Sequence, residues 1–222
     1  MRRSSLPALL VSLLALSVGW SRGGAEDPGP SGDEARGEPL PVTAEDLWEH
    51  PARFTGKVVT LDAQLHSELH TWNPMLTRFG GGEFRAFRLW SEGQFPWVEA
   101  DYHGPLVTAY ARTDGAAAWA LEDAERYDRF ELLCEVRSAF AARPWIEVIA
   151  VRPHLRSLTE GVVLHAARGC EQMAKGAWDT ALDELRRADR GGVPPAAEAE
   201  LERLIALCEE RLAAPGPLPE RP

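Results

Sequence analysis

Cysteine is scarce in this chain, with three in 222 residues, at positions 134, 170 and 208. No two of them lie within four residues of each other, which excludes the paired spacing of a structural zinc site. An odd count also allows at most one internal disulfide. Lysine is scarcer still: Lys57 and Lys175 stand among 24 basic residues, the rest being arginine, a bias that GC-rich coding explains without a recognition role. No glycine-rich phosphate loop precedes a helix, and no Ser-His-Asp or Cys-His set can be assembled from spacing. Beyond residue 20 there is no apolar run approaching the roughly 20 residues of a membrane span.

What is present begins with Met1-Arg2-Arg3-Ser4-Ser5, basic and polar, followed by an almost uncharged run over residues 6–20. That order is the n-region and h-region of a secretory leader, and Gly23-Gly24-Ala25 offers the small residues a signal peptidase accepts. The pattern predicts a signal peptide over residues 1–25 and a periplasmic or secreted product. The alternative is membrane anchoring through the same helix left uncleaved, with Arg22 as a stop. Without residues 1–25 the chain has 21 basic against 34 acidic residues, a net charge of −13. A surface of that sign repels a phosphate backbone, which counts against nucleic acid as partner.

Residues 26–41 hold proline, glycine and acids with little to bury, the composition of a disordered linker, and residues 214–222 form a similar flexible tail. Between them the hydrophobic period changes once. Thr43 caps a short helix that Pro51 is expected to stop. Residues 57–65 alternate, with Val59, Leu61, Ala63 and Leu65 on one face; further strands are expected over 84–90, 106–111, from Phe130 to Val136, and over 145–151 between Pro144 and Pro153. An alanine-rich helix is expected over 115–127, between the third and fourth strands. Ser157-Leu158-Thr159-Glu160 has the form of a capping box, and three helical stripes follow, broken at Gly176 and at Gly191-Gly192 and restarted at Pro194 or Pro195. Five short alternating strands with one helix predict an α+β chain built on a barrel or sandwich.

Phe54-Thr55-Gly56-Lys57-Val58-Val59-Thr60-Leu61 enters the first strand, and Tyr127-Asp128-Arg129-Phe130-Glu131-Leu132 and Trp145-Ile146-Glu147-Val148-Ile149 form the last two. In this order, over residues 42–153, they resemble the OB-fold, in particular its tRNA-anticodon-binding-like modules. The resemblance implies a five-stranded barrel with one helix between strands 3 and 4. It places ligands across the second and third strands and the neighbouring loops. Residues 154–213 look like a tetratricopeptide segment of three helices, carried by Gly169, Gly176-Ala177-Trp178-Asp179-Thr180-Ala181, Leu185, Ala188 and Pro194. One helix pair and a following helix cannot bury their own faces, so this segment must pack on the barrel or on another copy.

Candidate sites follow from these placements. His66, Glu68 and His70 would project from one face if the first strand continues through them, together with Asp62 and Gln64, a metal-ligand pattern. The plainer reading is a solvated strand edge. Trp72, Trp90 and Trp97 lie in or beside the implied ligand region and could serve as stacking platforms, with Arg85 and Arg88 as anion clamps; alternatively the rings fill the core and the arginines are surface charges. Cys170 and Cys208 sit on the inward stripes of two helices, and a disulfide between them or two buried thiols are both open. Cys134 reads as a small core residue.

Together these point to a non-enzymatic exported binding module for a protein, peptide or glycan, with no cofactor implied. The helical segment would mediate docking to a protein or peptide partner, or self-association into a homo-oligomer. The alternatives are a metal-dependent hydrolase using His66, Glu68 and His70, and single-stranded nucleic-acid binding by fold analogy alone.

Overall fold

Alternating apolar residues bury one face of a strand, and five such strands hide all their inner faces only by closing into a barrel. The computed structural model describes residues 38–73, 75, 77–188 and 192–213. The expected leader and the 214–222 tail lie outside the described residues. The strands are β1 (Leu40–Pro41), β2 (Val58–Leu69), β3 (Phe84–Ser91), β4 (Val107–Arg112), β5 (Arg129–Phe140) and β6 (Arg143–Pro153). Their order is β1-β2-β3-β4-β6-β5, and β2 also pairs with β5, so the last five close on themselves. All pairings among these five are antiparallel except β4 with β6. That is the strand order of an OB-like barrel.

β2 closes it because it is long enough to serve two partners: Val58 to Gln64 face β5, and Ala63 to Leu69 face β3. Val59, Leu61, Ala63 and Leu65 point into the barrel with Phe87, Leu89, Leu132, Val136 and Ile146, as their alternation predicted. α4 (Ala116–Glu122) lies between β4 and β5 and adds Ala117, Ala118 and Leu121 to this core.

Several boundaries differ from expectation. The linker expected to reach residue 41 ends earlier, because Leu40 and Pro41 pair in parallel with Val59 and Thr60 where β3 has not yet begun. Thr43 does cap α1 (Ala44–Glu49), its Oγ1 accepting from the Asp46 amide at 3.1 Å. Pro51, however, opens a second short helix, α2 (Pro51–Phe54), at the position where its missing N–H costs nothing. A further helix, α3 (Glu99–His103), had no apolar period to announce it. α4 ends at Glu122 rather than near Tyr127, which takes φ 78° and turns the chain into β5. Pro144 lies inside β6 rather than before it, ahead of Ile146, where pairing with β4 begins.

The helical end consists of α5 (Glu160–Ala174), α6 (Trp178–Ala188) and α7 (Pro195–Ala213). The α5 cap is Thr159, whose Oγ1 accepts from the Val162 amide; Ser157 instead accepts from the Arg129 amide at 3.0 Å and ties the entry of β5 to the helices. Gly176 (φ 74°) ends α5 in the left-handed conformation that glycine adopts without a steric cost. These helices pack on the barrel: Trp90, Trp97 and Tyr127 share one buried cluster with Val163, Ala166, Leu185, Leu201 and Cys208.

At Gly169 the α5–α6 approach leaves no room for a side chain, since an added Cβ would lie 2.7 Å from Leu185 Cγ. Gly169→Ala is therefore expected to lower the urea midpoint. Overpacking costs about 1–3 kcal/mol, against roughly 1 kcal/mol that alanine gains over glycine within a helix. Adding Leu185→Ala should cost less in that background than alone, because the two changes relieve each other.

Candidate functional site

Outside the barrel, the faces of β3, β4 and β6 present side chains by register. Ala86 stands beside Tyr110, Arg88 beside Thr108, and Trp145 and Glu147 occupy the outward positions of β6, whose Ile146 pairs with Ala109 and points inward. The 70–83 connection folds over part of this face. Phe79 stacks on Tyr110 at 4.3 Å between ring centroids, Phe84 meets Phe79 edge-on, and Trp72 donates its indole N–H to the Phe79 carbonyl at 2.8 Å. Trp72 thus holds its own loop against the barrel, with one edge towards Tyr110.

The rest of the face is open. A groove of about 780 Å³ runs past Arg88, Thr108, Tyr110, Trp145 and Arg143 to the tip of the β5–β6 hairpin. Among the described residues neither Arg88 nor Arg143 has a carboxylate partner, and none of the groove's described lining residues is acidic. Trp145 is half-buried, and its indole nitrogen has no acceptor there. Burial pushes the Tyr110 hydroxyl up to about 12, so it stays a neutral donor. The groove therefore offers two guanidinium groups beside the half-buried Trp145 ring, with Tyr110 buried beneath Phe79 at its base, in a protein whose overall charge is −10. These groups suit the binding of an anion.

At the hairpin tip, Ala141 and Ala142 both have positive φ, 52° and 57°. This is the conformation in which the twist of a two-residue turn matches its strands, and asparagine and glycine are the residues that adopt it at low cost. Alanine in the left-handed region costs on the order of 1 kcal/mol per residue.

The His66, Glu68 and His70 set is divided. β2 does continue through His66, as the pattern required, but its register with β3 slips between Leu65 and Ser67. That bulge makes His66 the extra residue and interrupts the alternation. His66 packs edge-on against Trp90 at 4.7 Å and contacts Ser67 Oγ at 2.6 Å. Glu68 instead sits beside Phe87 in register, 3.7 Å from Arg85, which pairs with Glu122 at 2.6 Å. His70 is exposed, its Nδ1 3.9 Å from Glu68. Among the described residues no three side chains of metal-binding type gather at one point. Asp62 is held by His154 at 2.8 Å and by Arg129 at 3.4 Å, in a surface clamp that also includes Glu92.

The other candidates separate in the same way. Trp90 is fully buried, stacked on Tyr127 at 5.4 Å and donating to the Asp101 carbonyl at 2.8 Å, so it joins the barrel to the helices and is closed to ligand. Trp97 lies among the residues packed against α5 and does not line the groove that holds Arg88. Cys134, Cys170 and Cys208 are free thiols, and burial pushes all three up. Arg88 and Trp72 remain at the OB-like ligand face. Of the other groove residues, Tyr110 and Trp145 were seen in the sequence only as strand residues, and Arg143, before Pro144, fell in no expected element. The signal that could have found Trp145 is alternation within β6, since Ile146 and Val148 point inward; the hairpin turn alone would mislead, because β5 bulges between Val136 and Ser138. No protein-family model, no curated protein and no solved structure matches the chain.

Two outcomes are expected from this geometry. Burial first, then the Arg88 and Arg126 guanidinium groups, hold the His66 imidazole below its ordinary value. The unfolded chain then binds a proton at a pH where the folded chain does not, so stability is lost as pH falls through the ordinary imidazole range. Urea midpoints measured between about pH 7.5 and pH 5.5 should fall, and His66→Gln should flatten that fall. Replacing Ala141 with asparagine and Ala142 with glycine should raise the midpoint by roughly 1–2 kcal/mol in stability, by matching residue to turn.

Proposed function

We propose that this chain is a non-enzymatic, exported binding module whose OB-like barrel takes an acidic glycan in the groove over Arg88, Tyr110, Arg143 and Trp145. The observation that carries the proposal is the pair of unpartnered guanidinium groups beside an aromatic surface, in a protein that is otherwise strongly acidic. Flat rings stack on sugar faces, and guanidinium groups hold carboxylates in a planar, two-bonded geometry. None of the groove's described lining residues is acidic, which favours an anionic ligand over a neutral peptide. A polynucleotide carries one charge per phosphate, and two arginines offset few of these against the field of the rest of the protein.

The leader pattern in residues 1–25 supports a periplasmic or secreted location. No described helix is long and apolar enough to cross a membrane. We read α5 to α7 as a tetratricopeptide-like segment, on the close approach at Gly169 and on Ala181, Leu185 and Ala188 lying buried in its interior. Its role is to dock a protein or peptide partner beside the glycan-binding barrel.

Calorimetric titration with oligogalacturonate tests this reading. Binding is expected, and Arg88→Glu or Arg143→Glu should each weaken it by about tenfold or more, the worth of one charge-assisted contact. Binding of a single-stranded oligonucleotide or polyglutamate in place of the glycan would reassign the groove. Binding to none of the three sinks the proposal.

A further inference from the structure

A second groove, of about 910 Å³, lies between residues 96–103 and α5. Its walls are Pro96, Trp97, Val98, Tyr102 and Tyr127 on the barrel side and Val163, Leu164 and Ala167 on the helix. Val98 and Leu164 are 40 % and 46 % exposed, so nothing among the described residues covers this apolar surface. Its charge is opposite to that of the arginine groove. Glu99 and Glu160 line it with no cationic partner among the described residues, and Glu171, at one end, pairs with Lys175 at 2.6 Å. His103 also lines it, and Arg126 beside it is held by the Tyr102 hydroxyl and the His66 carbonyl.

Trp97 narrows the choice of occupant. It is 5 % exposed, and its indole N–H has no acceptor among the described residues. A buried donor left unmade costs about 1–3 kcal/mol, which a bound acceptor would recover. A helix keeps its own carbonyls bonded internally and offers none along its length. An extended chain has a free carbonyl at every residue. A proline-containing chain has the further advantage that it brings few N–H groups into a groove with few acceptors, and its fixed φ lowers the entropy lost on binding. Two unpartnered carboxylates select arginine or lysine in the same chain.

We propose that this groove binds an extended, proline-rich segment of a partner protein that carries arginine or lysine. The proline rings lie on Tyr102 and against the exposed Val98 and Leu164, a backbone carbonyl accepts from the Trp97 indole once the buried ring turns outward, and the cations pair with Glu99 and Glu160. The site is separate from the arginine groove and does not depend on what binds there.

Fluorescence polarisation with a labelled oligoproline flanked by arginines tests it on the full chain. Binding is expected, weaker by at least about tenfold when the flanking arginines are replaced by glutamates, the effect of losing a charge-assisted contact. Glu99→Lys with Glu160→Lys should abolish binding. Glu202→Lys with Glu210→Lys on the exposed face of α7 makes the same change in net charge and should leave it intact. Trp97→Phe keeps the ring bulk and should weaken binding severalfold, and thermal melts confirm that each variant folds. No binding of the arginine-flanked peptide overturns the proposal, as does equal binding of the two peptides or equal loss in both charge-reversed pairs. Tighter binding of a basic amphipathic helix at the same residues assigns the groove to a helix instead. Tighter peptide binding on removal of residues 214–222 assigns it to this chain's own proline-rich end. Self-association lost in the Glu99→Lys, Glu160→Lys chain assigns it to a second copy.

Discussion

Closure of the barrel through β2 is the constraint from which the other features follow. A strand that pairs with β5 along its first half and β3 along its second must bend, and the slip at His66 is where its register accommodates the second partner. Once the five strands are closed, their inner faces are filled by apolar side chains. Further contacts are made on the outer surface.

That surface is used in two patches. On one, Trp90 lies against Tyr127 and His66 and reaches the Asp101 carbonyl, which anchors residues 96–103 and brings the helices onto the barrel. Their shared cluster explains how three helices, too few to bury their own faces, are stable here. On the other, Phe79, Tyr110 and Trp72 close part of the β3–β4 face with the chain's own loop and leave the Arg88–Arg143 groove open. The two open grooves carry opposite charge, one with arginines and one with glutamates that have no ion-pair partner among the described residues. A single acidic net charge conceals both, because it sums over local patches of opposite sign.

Strand alternation made the barrel core legible: Val59, Leu61, Ala63 and Leu65 point inward as their period required, and the stripes of α6 and α7 bury Leu185, Leu201 and Cys208. The elements that escaped were those with no period of their own. α3 is five residues held by Trp90 and Gln94 contacts, and the Thr159 cap displaced Ser157 because Ser157 was drawn to the Arg129 amide from a distant strand. Among site residues, Arg88 lines the open groove and Trp72 is held against the barrel by its own loop, a difference the order of strands does not reveal. Trp90 and Trp97 were not distinguishable from them, since an aromatic ring that stacks on a ligand and one that stacks on a core have the same sequence signature.

By itself the sequence determined the strand and helix periods, the α+β order, the inward residues of the barrel and the small residue needed at Gly169, because each depends on spacing within one element. Tertiary structure alone decided which charges are paired. Arg85 and Arg88 are three residues apart, yet the first meets Glu122 from α4 and the second meets no carboxylate among the described residues. The same holds for His66 and Glu68, which a one-residue slip against β3 sends to different neighbours. Pairing is a property of distance in space, and the strand partners that set those distances come from parts of the chain far removed in sequence.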